Sequence, residues 1–146
     1  MNILIKTRLS KNYKEVFKGF DLELFKALKP PLINLNVARF DGCKKGDEVH
    51  LEIGIGPLKQ KWISHITDDF INEKECTFVD EGHILPPPLK DWKHTHRILN
   101  IDENICEIQD DINFSSGNSL LDFFLYPALY AQFALRIPVY KKFFNS

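Results

Sequence analysis

Residues 91–114 read DWKHTHRILNIDENICEIQDDINF. Trp92, His94, His96 and Ile98 fall at every second position, and so do Cys106, Ile108, Asp110, Ile112 and Phe114. A period of two is that of a β-strand, whose alternate side chains share one face. Ile101-Asp102-Glu103-Asn104 between the two runs has the length of a hairpin turn. The second set is apolar apart from Asp110, so it faces a core. The first set shares that face when paired residue numbers add to an even value. A sum of 204 sets His94 opposite Asp110, and a sum of 206 sets His96 there. Both registers bring a histidine to a carboxylate across the strands, with Cβ atoms about 5 Å apart.

Working outward, the same period recurs. Ile3 to Leu9 alternates as a strand. Ser10 can cap a short helix through Phe17, and Asp21 a second one that Lys29-Pro30-Pro31 ends. Residues 33–40 return to period two. The turn Asp41 to Gly46 leads into Val49, Leu51, Ile53 and Ile55, an apolar strand face. Gly54 to Pro57 bends the chain, and strands follow over 59–68 and 74–80. Residues 81–90, with Pro86-Pro87-Pro88, form a loop whose stiff backbone braces the entry to Trp92.

Ser115 to Asn118 breaks the sheet, and Ser119 with Asp122 resembles a capping box. A long helix then runs to about Phe144, kinked or split at Pro127 and Pro138. Six consecutive strands with hairpin-length links demand an antiparallel sheet, and the helix must cover its inner face. The fold class is α+β: a curved seven-strand antiparallel sheet, two short helices between strands 1 and 2, and a long C-terminal helix. The whole chain, 1–146, is expected to be a single domain.

Composition narrows the function classes. Of 146 residues, 44% are hydrophobic and 27% charged, with a net charge of −1. No basic stripe is present to attract nucleic acid. Cys43, Cys76 and Cys106 are odd in number and widely spaced, which argues for reduced thiols rather than a disulfide framework or zinc knuckle. Met1 to Lys6 is too soon charged for a signal peptide, so a cytoplasmic protein is expected. Phe123 to Leu135, with Gln132 as its one strongly polar side chain, is too short for a membrane span. It is expected to be buried on most sides.

Several spaced residues together resemble the SRPBCC, or START-like (Bet v 1-like), superfamily with its helix-grip fold. They are Leu28-Lys29-Pro30-Pro31, Gly46-Asp47-Glu48-Val49, Trp62, Pro88-x-x-x-Trp92-x-His94-x-His96, Asp110, and the aromatic and basic end Tyr140 to Phe144. The likeness covers essentially the whole chain and points to a small bacterial branch related to polyketide cyclase/dehydratase-like proteins. The chain departs from it in the triple proline before Trp92 and in Ser-Ser-Gly-Asn before the last helix. The resemblance implies a cavity between sheet and long helix that takes a lipid, isoprenoid or polyketide-like molecule. It also implies association with an epimerase-like protein.

The ligand-binding residues expected are Trp92, His94, His96 and Asp110 at a polar end, Trp62 beside them, and Tyr126, Tyr130 and Phe133 on the helix. The His–Asp pair admits three roles. It can pin strand register as a buried hydrogen bond, orient an apolar ligand, or act as a general acid–base pair in a cyclase or dehydratase. No nucleophile motif accompanies it, and catalysis is not assigned. A non-catalytic interaction module with a core filled by its own side chains is the remaining alternative. His-x-His can supply two metal ligands, but no spacing argues for Asp110, His65 or His50 as a third, so neither metal nor cofactor is assigned.

Overall fold

A computed structural model describes residues 1–31 and 33–146; the Ile55 side chain, assigned above to an apolar strand face, lies outside the described residues. The elements run β1 (Asn2–Leu9), α1 (Tyr13–Lys18), α2 (Leu22–Ala27), β2 (Asn34–Phe40), β3 (Glu48–Ile55), β4 (Leu58–Ile71), β5 (Glu75–Ile84), β6 (Asp91–Asp102), β7 (Ile105–Ser115), α3 (Ser119–Ala134) and α4 (Arg136–Phe143). The seven strands form one antiparallel sheet in the order β1-β7-β6-β5-β4-β3-β2. The last six strands follow one another as a meander, and β1 closes on β7.

Local chemistry explains most boundaries. Asn12, not Ser10, caps α1, its side chain accepting from Lys14 N at 2.9 Å. Asp21 caps α2 as expected, accepting from Leu24 N at 3.0 Å. A two-residue loop, Gly56-Pro57, joins β3 to β4, and Gly56 takes φ 61°. Proline at the second loop position holds φ negative, which excludes a type I′ turn and leaves type II′. β5 runs on to Ile84, so the proline loop is shorter than expected. In β4 the register against β5 shifts between Ile66 and Asp68, leaving Thr67 as a surplus residue without a partner. A bulge of this kind bends its strand and helps the sheet to curl.

The long helix departs from expectation in three ways. Its cap is Asn118, whose side chain accepts from Leu120 N and Leu121 N. Asp122 reaches back instead to Ser116, accepting from its Oγ at 2.6 Å and its N–H at 2.7 Å. The helix runs through Pro127 and divides only at Leu135, ahead of Pro138. The Pro138 ring meets the carbonyl four residues back, that of Ala134, which ends α3.

The third departure is burial. Only Asp122 and Phe133 of α3 are buried, while Phe123 is 63% and Phe124 68% exposed. One helix laid on a sheet covers one of its own faces, and among the described residues no further layer packs on the outside. By length and composition alone, the 25 residues Ser119–Phe143 would reach across a membrane. In the fold they break at Leu135 and seat Phe133 and Tyr140 inside.

Two apolar clusters occupy the concave side. One holds Leu9, Val16, Ile98, Ile108, Tyr140 and Phe144. The other holds Ile3, Ile5, Trp92, Ile112, Phe114 and Phe133. Between them a belt of buried polar residues crosses the sheet: Thr7 on β1, Asp110 on β7, His94 and His96 on β6.

Candidate functional site

The β6–β7 pairing settles the register at a sum of 206, so His96 stands directly opposite Asp110 and His94 opposite Ile112. The hydrogen bonds nevertheless run along the diagonals. His94 Nε2–H donates to Asp110 Oδ1 at 2.8 Å. His96 Nε2–H donates to Asp80 Oδ2 on β5 at 2.8 Å, although His94 is the register partner of Asp80. Diagonal neighbours lie within reach of long side chains, and here both histidines use them.

Aromatic packing holds the imidazoles. Their rings stack on each other with centroids 3.6 Å apart. Phe78 stacks on the far side of His96 at 4.2 Å, and Phe133 presents its edge to His94 at 5.4 Å. Trp62 stands edge-on to Trp92 at 4.9 Å, its indole N–H donating to Ser64 Oγ at 2.8 Å.

Behind the histidines, Asp110 is fully buried. Besides His94 it accepts from Arg136 Nη1 at 3.2 Å and from the Tyr140 hydroxyl at 3.2 Å. The Arg136 guanidinium also lies over the Phe133 ring at 4.5 Å. These partners decide the charge states. Burial works to raise the Asp110 carboxyl, but Arg136 and the His94 hydrogen bond hold it well below the ordinary range. Burial likewise opposes ionisation of Asp80, and the His96 hydrogen bond reverses the shift. His96 is pushed down to about 4, by burial first and by its neighbour His94 second. Burial, and then Asp110, push the Tyr140 hydroxyl upward.

The polar cluster closes one side of a cavity of about 360 Å³ between sheet and helices. Trp62, Trp92, His94, His96 and Phe133 all line it. Asp110 lies one step behind the wall. Tyr126 and Tyr130 sit elsewhere: they stack on each other at 6.0 Å, Tyr126 packs beside the Trp92 cluster, and Tyr130 is 44% exposed. Cys43 also lines the cavity, with burial pushing its thiol up to about 12, so it is a neutral wall residue.

Two members of the site were missed from the sequence. Asp80 continues the alternation Cys76, Phe78, Asp80 on β5, which was enough to place it on the inner face. Arg136 is the lone cation between Phe133 and Tyr140, one helical turn from each. His50, by contrast, pairs with Glu48, and His65 stacks on His83, away from the cluster.

No family model matches the chain, and no curated protein matches its sequence. Solved structures do. An aromatase/cyclase of Streptomyces sp. R1128 aligns over 97% of this chain and 94% of its own, with TM-score 0.62 at 10% identity. Norcoclaurine synthase of Thalictrum flavum aligns over 100% of this chain and 87% of its own, with TM-score 0.69 at 9% identity. Protein Ms6760 of Mycobacterium smegmatis covers 97% and 89%, with TM-score 0.66 at 15% identity. At such identities the common property is the architecture. The chain has the helix-grip fold of the SRPBCC, or Bet v 1-like, proteins.

Proposed function

We propose that the protein binds a small, mostly apolar molecule of lipid, isoprenoid or polyketide-like character between the sheet and α3. The observation that carries this is the cavity of about 360 Å³ left open beside Trp62, Trp92 and Phe133. A core filled by its own side chains would leave no such space, and volumes above about 300 Å³ are those of ligand sites. The apolar wall supplies the affinity and the imidazole edge fixes the ligand's orientation. Three free thiols favour a reducing compartment, in keeping with a cytoplasmic carrier or sensor.

Both tryptophans of the chain line the cavity, so indole fluorescence reports its occupancy directly. Titration with farnesol or a polyaromatic phenol should shift and saturate the emission, and Trp62→Phe should remove part of the response. Native mass spectrometry of protein from its own host should carry the ligand's mass. A bare mass, with no emission change and no thermal stabilisation across a lipid panel, would sink this reading.

A second reading rests on the histidines. An imidazole backed by a buried carboxylate can move protons, and two of the solved structures with this fold are an aromatase/cyclase and a synthase. His94→Gln separates the two. A binder loses affinity by a modest factor, whereas acid–base turnover of a polyketide-like substrate collapses.

A further inference from the structure

Asp80, His94 and His96 each bring one potential ligand atom close to the other two. Asp80 Oδ2 is 2.8 Å from His96 Nε2 and 3.7 Å from His94 Nδ1. The three potential ligand atoms lie within 4.8 Å of one another. Nitrogen and oxygen donors at about 2.0–2.2 Å from a single transition ion are about 3.0–3.4 Å apart, so enclosing one takes a rotation of the stacked rings that also shortens the 3.7 Å separation. All three residues line the cavity, which leaves further coordination positions open on that side.

An orphaned atom gives independent support. His96 Nδ1 is buried and has no hydrogen-bond partner among the described residues. While Nε2–H donates to Asp80, Nδ1 carries only a lone pair, and it faces the Asp110 carboxylate 3.7 Å away. Two acceptors oppose each other in a buried place, an arrangement that costs free energy. Coordination through Nε2 removes the conflict, because the ring proton then sits on Nδ1 and points at Asp110. His94 already has the matching arrangement: its Nε2–H donates to Asp110 at 2.8 Å, and its Nδ1 lone pair is free towards Asp80. Asp110 thus stands behind both rings, as carboxylates stand behind metal-bound histidines. The charges agree. Against the two carboxylates Asp80 and Asp110 stands Arg136, bonded to Asp110 and the one arginine or lysine hydrogen-bonded to the cluster among the described residues, so negative charge is in excess there.

We propose that Asp80 Oδ2, His94 Nδ1 and His96 Nε2 form a site for one divalent first-row transition ion, with zinc suited to this donor set. Asp110 orients both imidazoles from behind, and the open coordination positions face the cavity. The donors stand there whatever fills the apolar part, so the site does not depend on the ligand proposed above.

The test uses the metal alone on the full chain, first stripped with a chelator. Cobalt(II) should bind one to one with a visible absorption band that zinc displaces. Asp80→Asn and His96→Gln should each weaken binding at least 100-fold, and Asp110→Asn about 10–100-fold. His65→Gln, in the surface group with His50 and Glu48, should leave it unchanged. A readout on the unaltered protein covers the case of variants that fail to fold. Long-range proton–nitrogen spectra should show His96 passing from the Nε2–H to the Nδ1–H form as zinc is added. Absence of saturable binding, an unchanged His96 tautomer, or loss of binding in His65→Gln would each overturn the proposal. None of these outcomes bears on the fluorescence titration with an apolar ligand.

Discussion

The β6–β7 wall and the outer face of α3 make an instructive pair, because burial in them runs against side-chain polarity. On the wall, a carboxylate and two imidazoles are buried, Asp110 completely. On α3, two adjacent phenylalanines are about two-thirds exposed. Hydrophobicity states a preference, whereas the number of layers in the fold decides what is satisfied. The wall residues have a helix in front and neighbouring strands on both sides. Every carboxylate oxygen there has a donor nearby, which makes polar burial tolerable. Among the described residues nothing lies beyond the outer helix face, and apolar side chains there stay in solvent.

That contrast can be broken most forcefully at Asp110. Asp110→Ala strips the acceptor from His94, Arg136 and Tyr140 together and leaves a half-buried guanidinium unpaired. The expected loss is about 3–5 kcal/mol by urea denaturation, and a loss below about 1 kcal/mol would mean that the cluster contributes little to holding the fold. Phe133→Ala comes next, because its ring touches His94, Trp92 and Arg136 at once. Removing it should cost about 3 kcal/mol and alter the emission of Trp92. Asn118→Ala should cost about 1 kcal/mol, as befits an N-cap serving two amides, and calorimetry can measure it. Phe124→Ser should change stability by less than about 0.5 kcal/mol while raising solubility. A large loss there would show that the outer face is covered after all.

The sequence disclosed the wall better than the helix, for physical reasons. Strand faces obey a strict period, so Trp92, His94, His96 and Asp110 could be placed on one surface and their register limited to two values. The same arithmetic names the residues that stand opposite but not the atoms that bond. Side chains leaning along a twisted strand chose the diagonals, giving His94 to Asp110 and His96 to Asp80. Asp80 ends the strand expected over 74–80, so its alternation with Cys76 and Phe78 places it on the inner face, whereas its pairing with β6 depends on a register that no short hairpin turn fixes. On the helix, the period identified which residues share a face but not the angle at which that face meets the sheet. Of the three helix residues expected at the cavity, Phe133 lines it, while Leu125, Leu129 and Arg136 take the places expected for Tyr126 and Tyr130. Local hydropathy likewise carried no information about the missing outer layer, and α3 was expected to be buried.

The surplus Thr67 gives the cavity something like an adjustable length. Deleting it should leave Ile66 opposite Asp80 and Asp68 opposite Val79, the pairs that now flank the bulge. Only the bend would disappear. A β4 flattened in this way would change how far the Trp62 side of the sheet stands from α3, and with it the space between them, with every wall residue retained. Ligand size in such a protein can then change through one codon gained or lost on a single strand, without replacing any side chain that touches the ligand. A crystal structure of the deletion variant with a cavity of altered volume, still carrying the crossed His–Asp pairs, would show that capacity and chemistry are set by separate parts of the chain.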